Sequence, residues 1–488
     1  MTAKNLTQTA DLNLEFYRKQ AKALLRAART GDAAANARLR KYSTAKEAAL
    51  HAAQMAIARE QGFKSWPRFH AFITEANLDF HALVDRFIDA ATSDGRRARE
   101  ILAEHPDIAN AGFYVALVLG DWERVADAIA ADPDLATEKS GPQACEPLIY
   151  VCFSRFGHPR AERALRLALT ARLLLNNGAD PDSAFQSEEG ALSCLYAASG
   201  LLANPEMTRI LLEAGANPND GESLYHATEH ADLTCMKLLL EYCAKPTATN
   251  ALNHMLDREN REGLRLLLDA GANPNELNGQ IDTSLHWAVR RCRSAETIAM
   301  LLDHGVDIDA VRSDGRTAYA MAVLSGQTEV AKLLESRGAD TRLSPLDAFV
   351  AGRGGEVPKE SAASPGNARL LTHLAESGSV AAVEALLTAG VPIDARGDMG
   401  ETALHWACWK GNTALIKALL ARGAPLDARE TTYGAPPSGW LHHGATNNGE
   451  GDYAEGARLL IAAGVKDWDA PSGNEAMDAV LREKELIP

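Results

Sequence analysis

Nowhere in the 488 residues do about 18 apolar residues run uninterrupted, so no segment is long enough to cross a bilayer as a helix. The opening stretch, Met1 to Asn13, is polar and lacks the apolar run of an export signal. A soluble, cytoplasmic protein is therefore expected. Basic charge is also short: 50 Lys plus Arg stand against 65 Asp plus Glu, a formal net charge of −15 that repels phosphate backbones. Nucleic acid and membrane are thus not expected as partners. The seven cysteines (Cys145, Cys152, Cys194, Cys235, Cys243, Cys292, Cys408) are scattered and form no pair of CxxC motifs. Zinc binding or nucleophilic catalysis would be their functional reading, but free Cys is among the most buried residue types, and reduced core thiols fit better.

Signatures of cofactor chemistry are missing as well. There is no G-x-x-x-x-G-K-[ST], no dinucleotide G-x-G-x-x-G after a strand and no nucleophile elbow, and no cofactor is expected. Gly352 to Gly355 reads as a loop. Asn447 to Asp452 lacks the spacing and closing Glu of a calcium loop and reads as a long finger.

The chain does have repetition. A helix-ending phrase recurs as NNGADPD before Ser183, EAGANPN before Asp220, DAGANPN before Glu276, DHGVDID before Ala310 and SRGADTR before Leu343, then as TAGVPID and ARGAPLD. Gly271, Gly305 and Gly338 are 34 and 33 residues apart, and Gly390 and Gly423 again 33. A second phrase precedes it: TSLHWA from Thr283, ETALHWA from Glu401, ESLYHA from Glu222 and RTAYAMA from Arg316. From Asp282 to Asp309, Leu285, Ala288 and Val289 fall at i, i+3, i+4, as do Ile298, Leu301 and Leu302. Two amphipathic helices follow, neither able to bury its apolar stripe alone, with Gly305 as the left-handed cap of the second.

Spacing and phrases together resemble the ankyrin-repeat family, whose motif is T-P-L-H-x-A followed by a glycine-ended second helix. The resemblance implies a structural role for His286 and His405, as hydrogen-bonded core histidines rather than catalytic ones. The fold class expected is all-α: an ankyrin-repeat solenoid with an N-terminal helical cap and short β-turn fingers, stabilised by nearest-neighbour stacking. The expected divisions are a helical cap at 1–76, divergent repeats at 77–140, repeats at 141–343, an irregular insertion or degraded repeat at 344–366, repeats at 367–468 and a C-terminal cap at 469–488. In the divergent repeats, ILAEHPDIAN and AIAADPDLAT put His105-Pro106 and Asp132-Pro133 where the glycine cap belongs. The full layout, from GFxSWPxF (Gly62 to Phe69) through CEPLIYVCFSR and GESLYHATEH, resembles a group of large bacterial ankyrin-repeat proteins, which implies a fold and no particular activity.

In the first 76 residues, the helices FYRKQAKALLRAA and EAALHAAQMAIARE are separated by turns at Gly31-Asp32 and around Ser43. Arg18, Lys19, Lys22, Arg26, Arg29, Arg38, Arg40, Lys41 and Lys46 make this a basic head on an acidic body. It reads as a solvated helix face, with a partner-binding patch as the alternative.

Aligning the repeats places one residue of each at the x of the motif: Ala197, His226, His254, Trp287, Met321, His373, Trp406 and Trp440. In ankyrin folds this position faces the concave side. Three Trp and three His in eight places are unusual for a solvated surface. One turn later come Glu229, His230, Asp257, Arg258, Arg290, Arg291, Glu376, Trp409, Lys410 and His443. Aromatic anchors among charges of both signs fit a groove for a protein or peptide partner, although each ring could also be core beneath the fingers. A non-enzymatic binding scaffold is the function expected. The alternative is a metal-dependent hydrolase: His226-Ala-Thr-Glu229-His230 matches H-x-x-E-H, which on a continuous helix sets two imidazoles at i, i+4, with His254 or Asp257 as a third ligand.

Overall fold

The computed structural model describes residues 14–42, 49–76, 79–156, 161–188, 190–277, 282–354, 364–448, 450–468 and 471–487. The polar start Met1 to Asn13, the turn at Ser43, Lys46, Gly355 and Gly449 lie outside them. Two compact units divide at Cys194 and Leu195. Among the described residues no helix is long and apolar enough to cross a membrane.

The first unit opens with four helices, Leu14–Arg29, Ala33–Arg40, Leu50–Glu60 and Trp66–Ala76. Tyr17, Ala21, Leu24 and Ala28 make one stripe of the first helix and pack on Ala53, Ala56, Ile57, Phe69 and Ile73. Phe69, fully buried, takes the edge of Tyr17 at 4.8 Å and is flanked by Phe63 and Trp66, so the GFxSWPxF phrase supplies this core. Arg18, Lys19, Lys22, Arg26 and Arg29 occupy the opposite, exposed face. Arg38 is engaged, donating from Nε and Nη2 to Glu60 at 2.7 and 2.6 Å.

Three helix pairs follow: Phe80–Ser93 with Gly95–Glu104, Phe113–Leu119 with Trp122–Ala131, and Pro147–Cys152 with Ala161–Asn176. Where glycine caps are missing, the chain leaves the helix through short 3₁₀ turns, Pro106–Asn110 and Pro133–Ala136, each opened by a proline whose fixed φ suits that place. A hairpin, β1 (Ala184–Ser187) and β2 (Gly190–Ser193), pairs Phe185 with Leu192. It adds a small two-stranded sheet to the otherwise helical first unit.

The second unit alternates a short helix with a companion: Ser223–Ala227 with Thr234–Glu241, Ala251–Asp257 with Arg261–Asp269, Ser284–Arg290 with Ala295–Asp303, and Ala318–Leu324 with Thr328–Ser336. The pattern resumes with Pro365–Ser377 and Val380–Thr388, Ala403–Trp409 and Thr413–Ala421, and Pro437–Asn447 and Tyr453–Ala463. Leu285, Ala288, Val289, Ile298 and Leu301 are fully buried, as the 3.6-residue stripes require. Ser294 caps the helix Ala295–Asp303 by accepting from Thr297 N, and Gly305 ends it at φ +79° while Val306 N reaches back to Leu301 O.

The stretch 344–366 is not irregular throughout. Ser344 caps a helix, Pro345–Val350, that packs against Ala318–Leu324 and Val380–Thr388. A Ser/Pro cap can start a helix within a region whose composition signals a loop.

Candidate functional site

The second unit carries the candidate site, and the two motif histidines lie within it. His286 and His405 are buried, each with Nδ1 at 2.9 Å from the hydroxyl of the threonine three residues earlier, Thr283 and Thr402. His405 also accepts from Thr402 N and donates from Nε2 to Ala435 O at 3.2 Å. Burial drives its pKa down to about 4. Both therefore tie a helix start in place, and His405 spans two repeats besides.

The next residue of each short helix stands beside this histidine position, and there the repeats diverge. At the N-terminal end His226 is half-buried, edge-on to Tyr196 and Tyr225 at 5.0 Å each, with Glu222 at 3.2 Å and Glu229 at 3.1 Å on its two ring nitrogens. The close approach beneath it needs Gly200, where a Cβ would lie 2.5 Å from the His226 Cβ. His254 meets Tyr225 at 5.3 Å and the Thr228 hydroxyl at 2.6 Å; burial, and then Arg258, lower its pKa. Arg258 itself donates to Glu229 O.

In the middle, Trp287 is half-exposed and held from three directions. Its Nε1 donates to Asp257 at 2.9 Å, while the guanidinium groups of Arg290 and Arg291 lie 4.4 and 4.8 Å from the ring. Arg291 pairs with Asp257 at 2.9 Å and with Glu376 at 2.7 Å. At the C-terminal end Trp406 and Trp440 meet edge to face at 5.1 Å, Trp409 meets Trp440 at 6.2 Å and His443 at 5.3 Å, and Lys410 is exposed beside them. Trp406 Nε1 is anchored on the buried carboxylate of Glu401 at 3.2 Å.

His373 departs from expectation. The same register that half-exposes Trp287 and Trp406 buries His373, along with Met321 and Ala197, so it offers no surface to a partner. Arg312 Nη1 donates to its Nδ1 at 3.1 Å, and Arg290 Nη1 stands 3.4 Å from its Nε2. A neutral imidazole has a single acceptor nitrogen, which the shorter contact occupies. Burial, then the charges of Arg312 and Arg290, hold its pKa well below the ordinary histidine value. Asp282 answers these cations from 3.2 Å on Arg312 and 3.5 Å on Arg290.

The metal reading fails on geometry. The helix carrying His226 ends at Ala227, so His226 and His230 do not share a helical face, and His230 Nε2 donates instead to Gly200 O. His254 is engaged by Thr228, and Asp257 by Trp287 and Arg291. Among the described residues no group of three or more His, Cys, Asp or Glu side chains is placed to hold a metal.

Comparison with known proteins agrees with this architecture. A family model of ankyrin repeats in three copies matches residues 251–344, and one of ankyrin repeats in many copies matches residues 371–428. The chain carries ankyrin repeats in these two stretches. Among solved structures, the human ASB11 ankyrin repeat domain is similar at 20% identity, covering 47% of this chain and 98% of that one, with a TM-score of 0.35. No curated protein matches.

Sequence reasoning missed the charged residues that organise the middle of these ankyrin repeats. Arg316 donates from Nε and Nη2 to Asp347 at 3.0 and 2.8 Å and from Nη2 to Asn367 at 2.8 Å, joining the helix starts on both sides of 351–364. Arg312, Asp314 and Arg316 all belong to one finger, Arg312-Ser-Asp-Gly-Arg316, and their side chains are nearly inaccessible. Two arginines flanking Asp-Gly in a finger were the available signal. Tyr196 and Tyr225, which wall His226, stand at the motif's histidine position, where a substituted aromatic was the clue.

Proposed function

We propose that residues 195–487 form a non-enzymatic binding scaffold that holds a protein or peptide segment along the row of short first helices. The carrying observation is that Trp287, Trp406 and Trp440 occupy the same motif position in separate repeats, each half-exposed. Trp287 and Trp406 have their ring nitrogens fixed by carboxylates of the protein itself. Large rings held still and half-exposed are the side chains that dominate binding energy at interfaces. The charges around them, Asp257, Arg258, Arg290, Arg291, Lys410 and Glu229, are of both signs and suit a polar rim. His226, His230, His254, Trp409 and His443 extend the row at its two ends. Membership of the ankyrin repeats supports protein interaction as the general role.

The test is capture by the immobilised full chain, with cross-links mapped to the short helices. Trp287→Ala and Trp406→Ala, shown to be folded by circular dichroism, should each weaken capture by about 2 kcal/mol. Undiminished capture by both folded variants, or cross-links confined to the outer helices, would reject the row as the binding surface.

A further inference from the structure

The first unit contains a cleft of about 510 Å³ that the repeat scaffold leaves unused. One wall is a single face of the helix Phe80–Ser93, contributing Phe80, His81, Val84, Asp85 and Ile88, with Phe113 and Tyr114 opposite and the finger Ser140-Gly141-Pro142 closing one side. Val84 and Ile88 are buried and form an apolar floor, while Phe80 stands 49% exposed. Tyr114 packs edge-on to Phe113 at 5.5 Å and to Tyr150 at 5.0 Å, which fixes its ring. Gly141, at φ +76°, lets the finger reach that ring: a Cβ there would sit 2.8 Å from Tyr114. The volume is that of a site for a small molecule.

Among the described residues that line the cleft there is no Lys or Arg, and the basic side chain there is His81. Asp85 is half-buried on its wall and has no hydrogen-bond or ion-pair partner among the described residues. Asp89, one turn further along the same helix, has its carboxylate met among the described residues by the neutral amide of Gln143 at 3.2 Å. Partly desolvated carboxylates without a counter-charge favour a ligand that brings one, and the π faces of Phe80, Phe113 and Tyr114 attract the same charge. We propose that this cleft binds a small aromatic amine, its ammonium group on Asp85 and its ring among Phe80, Phe113 and Tyr114.

The probes are 2-phenylethylamine and its neutral twin 2-phenylethanol, titrated into the full chain by calorimetry and by NMR shifts of residues on the cleft wall. The amine should bind saturably, and the alcohol about tenfold or more weakly, a difference of about 1.4 kcal/mol. Asp85→Asn, checked for an unchanged melting curve, should lower amine affinity by about the same factor and leave the alcohol unaffected. Phe80→Ala, which removes a half-exposed ring, should weaken the amine several-fold and serves if Asp85→Asn fails to fold. No saturable binding of the amine, equal binding of amine and alcohol, or amine affinity unchanged in the folded variants would overturn the assignment.

Discussion

Arg312 and His373 are 61 residues apart in sequence and are joined by a hydrogen bond of 3.1 Å inside the second unit. The bond runs from a finger to the helix Pro365–Ser377. Repeat arrays are ordinarily held by contacts between adjacent units. Here buried polar groups add a tie between the helix pairs on either side of residues 351–364.

Arg316 makes the second such tie, and its removal should be costly. Arg316→Met leaves the buried carboxylate of Asp347 without its guanidinium, and a loss of about 3–5 kcal/mol is expected from the denaturant midpoint. The double variant Arg316→Met/Asp347→Leu should recover most of it, since the stranded charge is then gone. A midpoint unmoved by Arg316→Met would show that the tie holds nothing.

Stability should fall with acid in a defined window. The pKa of His405 is ordinarily 6.5 and is pushed down to about 4 by burial in the fold. Below about 6.5 the unfolded chain takes up a proton that the folded chain refuses, so this histidine's contribution is complete above 6.5 and drains away as pH falls toward 4. His373, also held low, acts in the same direction. Denaturant midpoints should decline below pH ~6.5 by up to about 1.4 kcal/mol per pH unit for each such histidine, and less steeply in His405→Gln. A flat profile between pH ~6.5 and ~4.5 would contradict the neutral, buried assignment.

Two glycines should respond to alanine for different reasons. At Gly423 the backbone is at φ +80° with open space around it, so Gly423→Ala carries only the left-handed strain, about 1 kcal/mol. At Gly444 a Cβ would lie 2.3 Å from the backbone oxygen of Trp409, and two helices must separate to admit it. Gly444→Ala should cost about 1–3 kcal/mol and should also shift Trp fluorescence, which Gly423→Ala leaves alone. Equal fluorescence in the two variants would argue against the close helix approach.

Metal removal should leave the protein unchanged. Because His230 donates to Gly200 and His226 faces Glu222 and Glu229, dialysis against a chelator should not move the melting curve, and His230→Ala should not alter metal content. One zinc per chain, lost in His230→Ala, would reinstate the hydrolase reading.

The period of the glycine caps and the burial stripes were legible because the same local pattern recurs from repeat to repeat, and the structural roles of His286 and His405 followed from the family motif that they match. The fate of the x position was not. Trp287 and His373 share a register, yet one is half-exposed and the other enclosed, because Arg290 and Arg312 converge on the second from other repeats. Periodicity reports which face a residue takes; it is silent on what a distant finger brings to that face. The H-x-x-E-H spacing failed for a local reason: it assumes a helix through His230, and this one stops at Ala227. The helix Pro345–Val350, inside the stretch read as an irregular insertion or degraded repeat, turned on the Ser344-Pro345 cap, a two-residue signal beside a glycine-rich segment.

The carbonyl of Trp409 accepts from the Tyr453 hydroxyl at 3.0 Å and from Asn448 Nδ2 at 3.4 Å, while Gly444 closes against it from the neighbouring helix. Helix ends commonly fray, but this one is held by three residues of the following repeat. The backbone that carries Trp406 and Trp409 is thereby set by folding, and the Trp406 ring is held besides through its Nε1 on Glu401. On the binding-scaffold proposal, a partner landing on this helix would be spared part of the roughly 0.5–1.5 kcal/mol that each newly frozen side chain costs, so differences among partners should emerge in how slowly they leave.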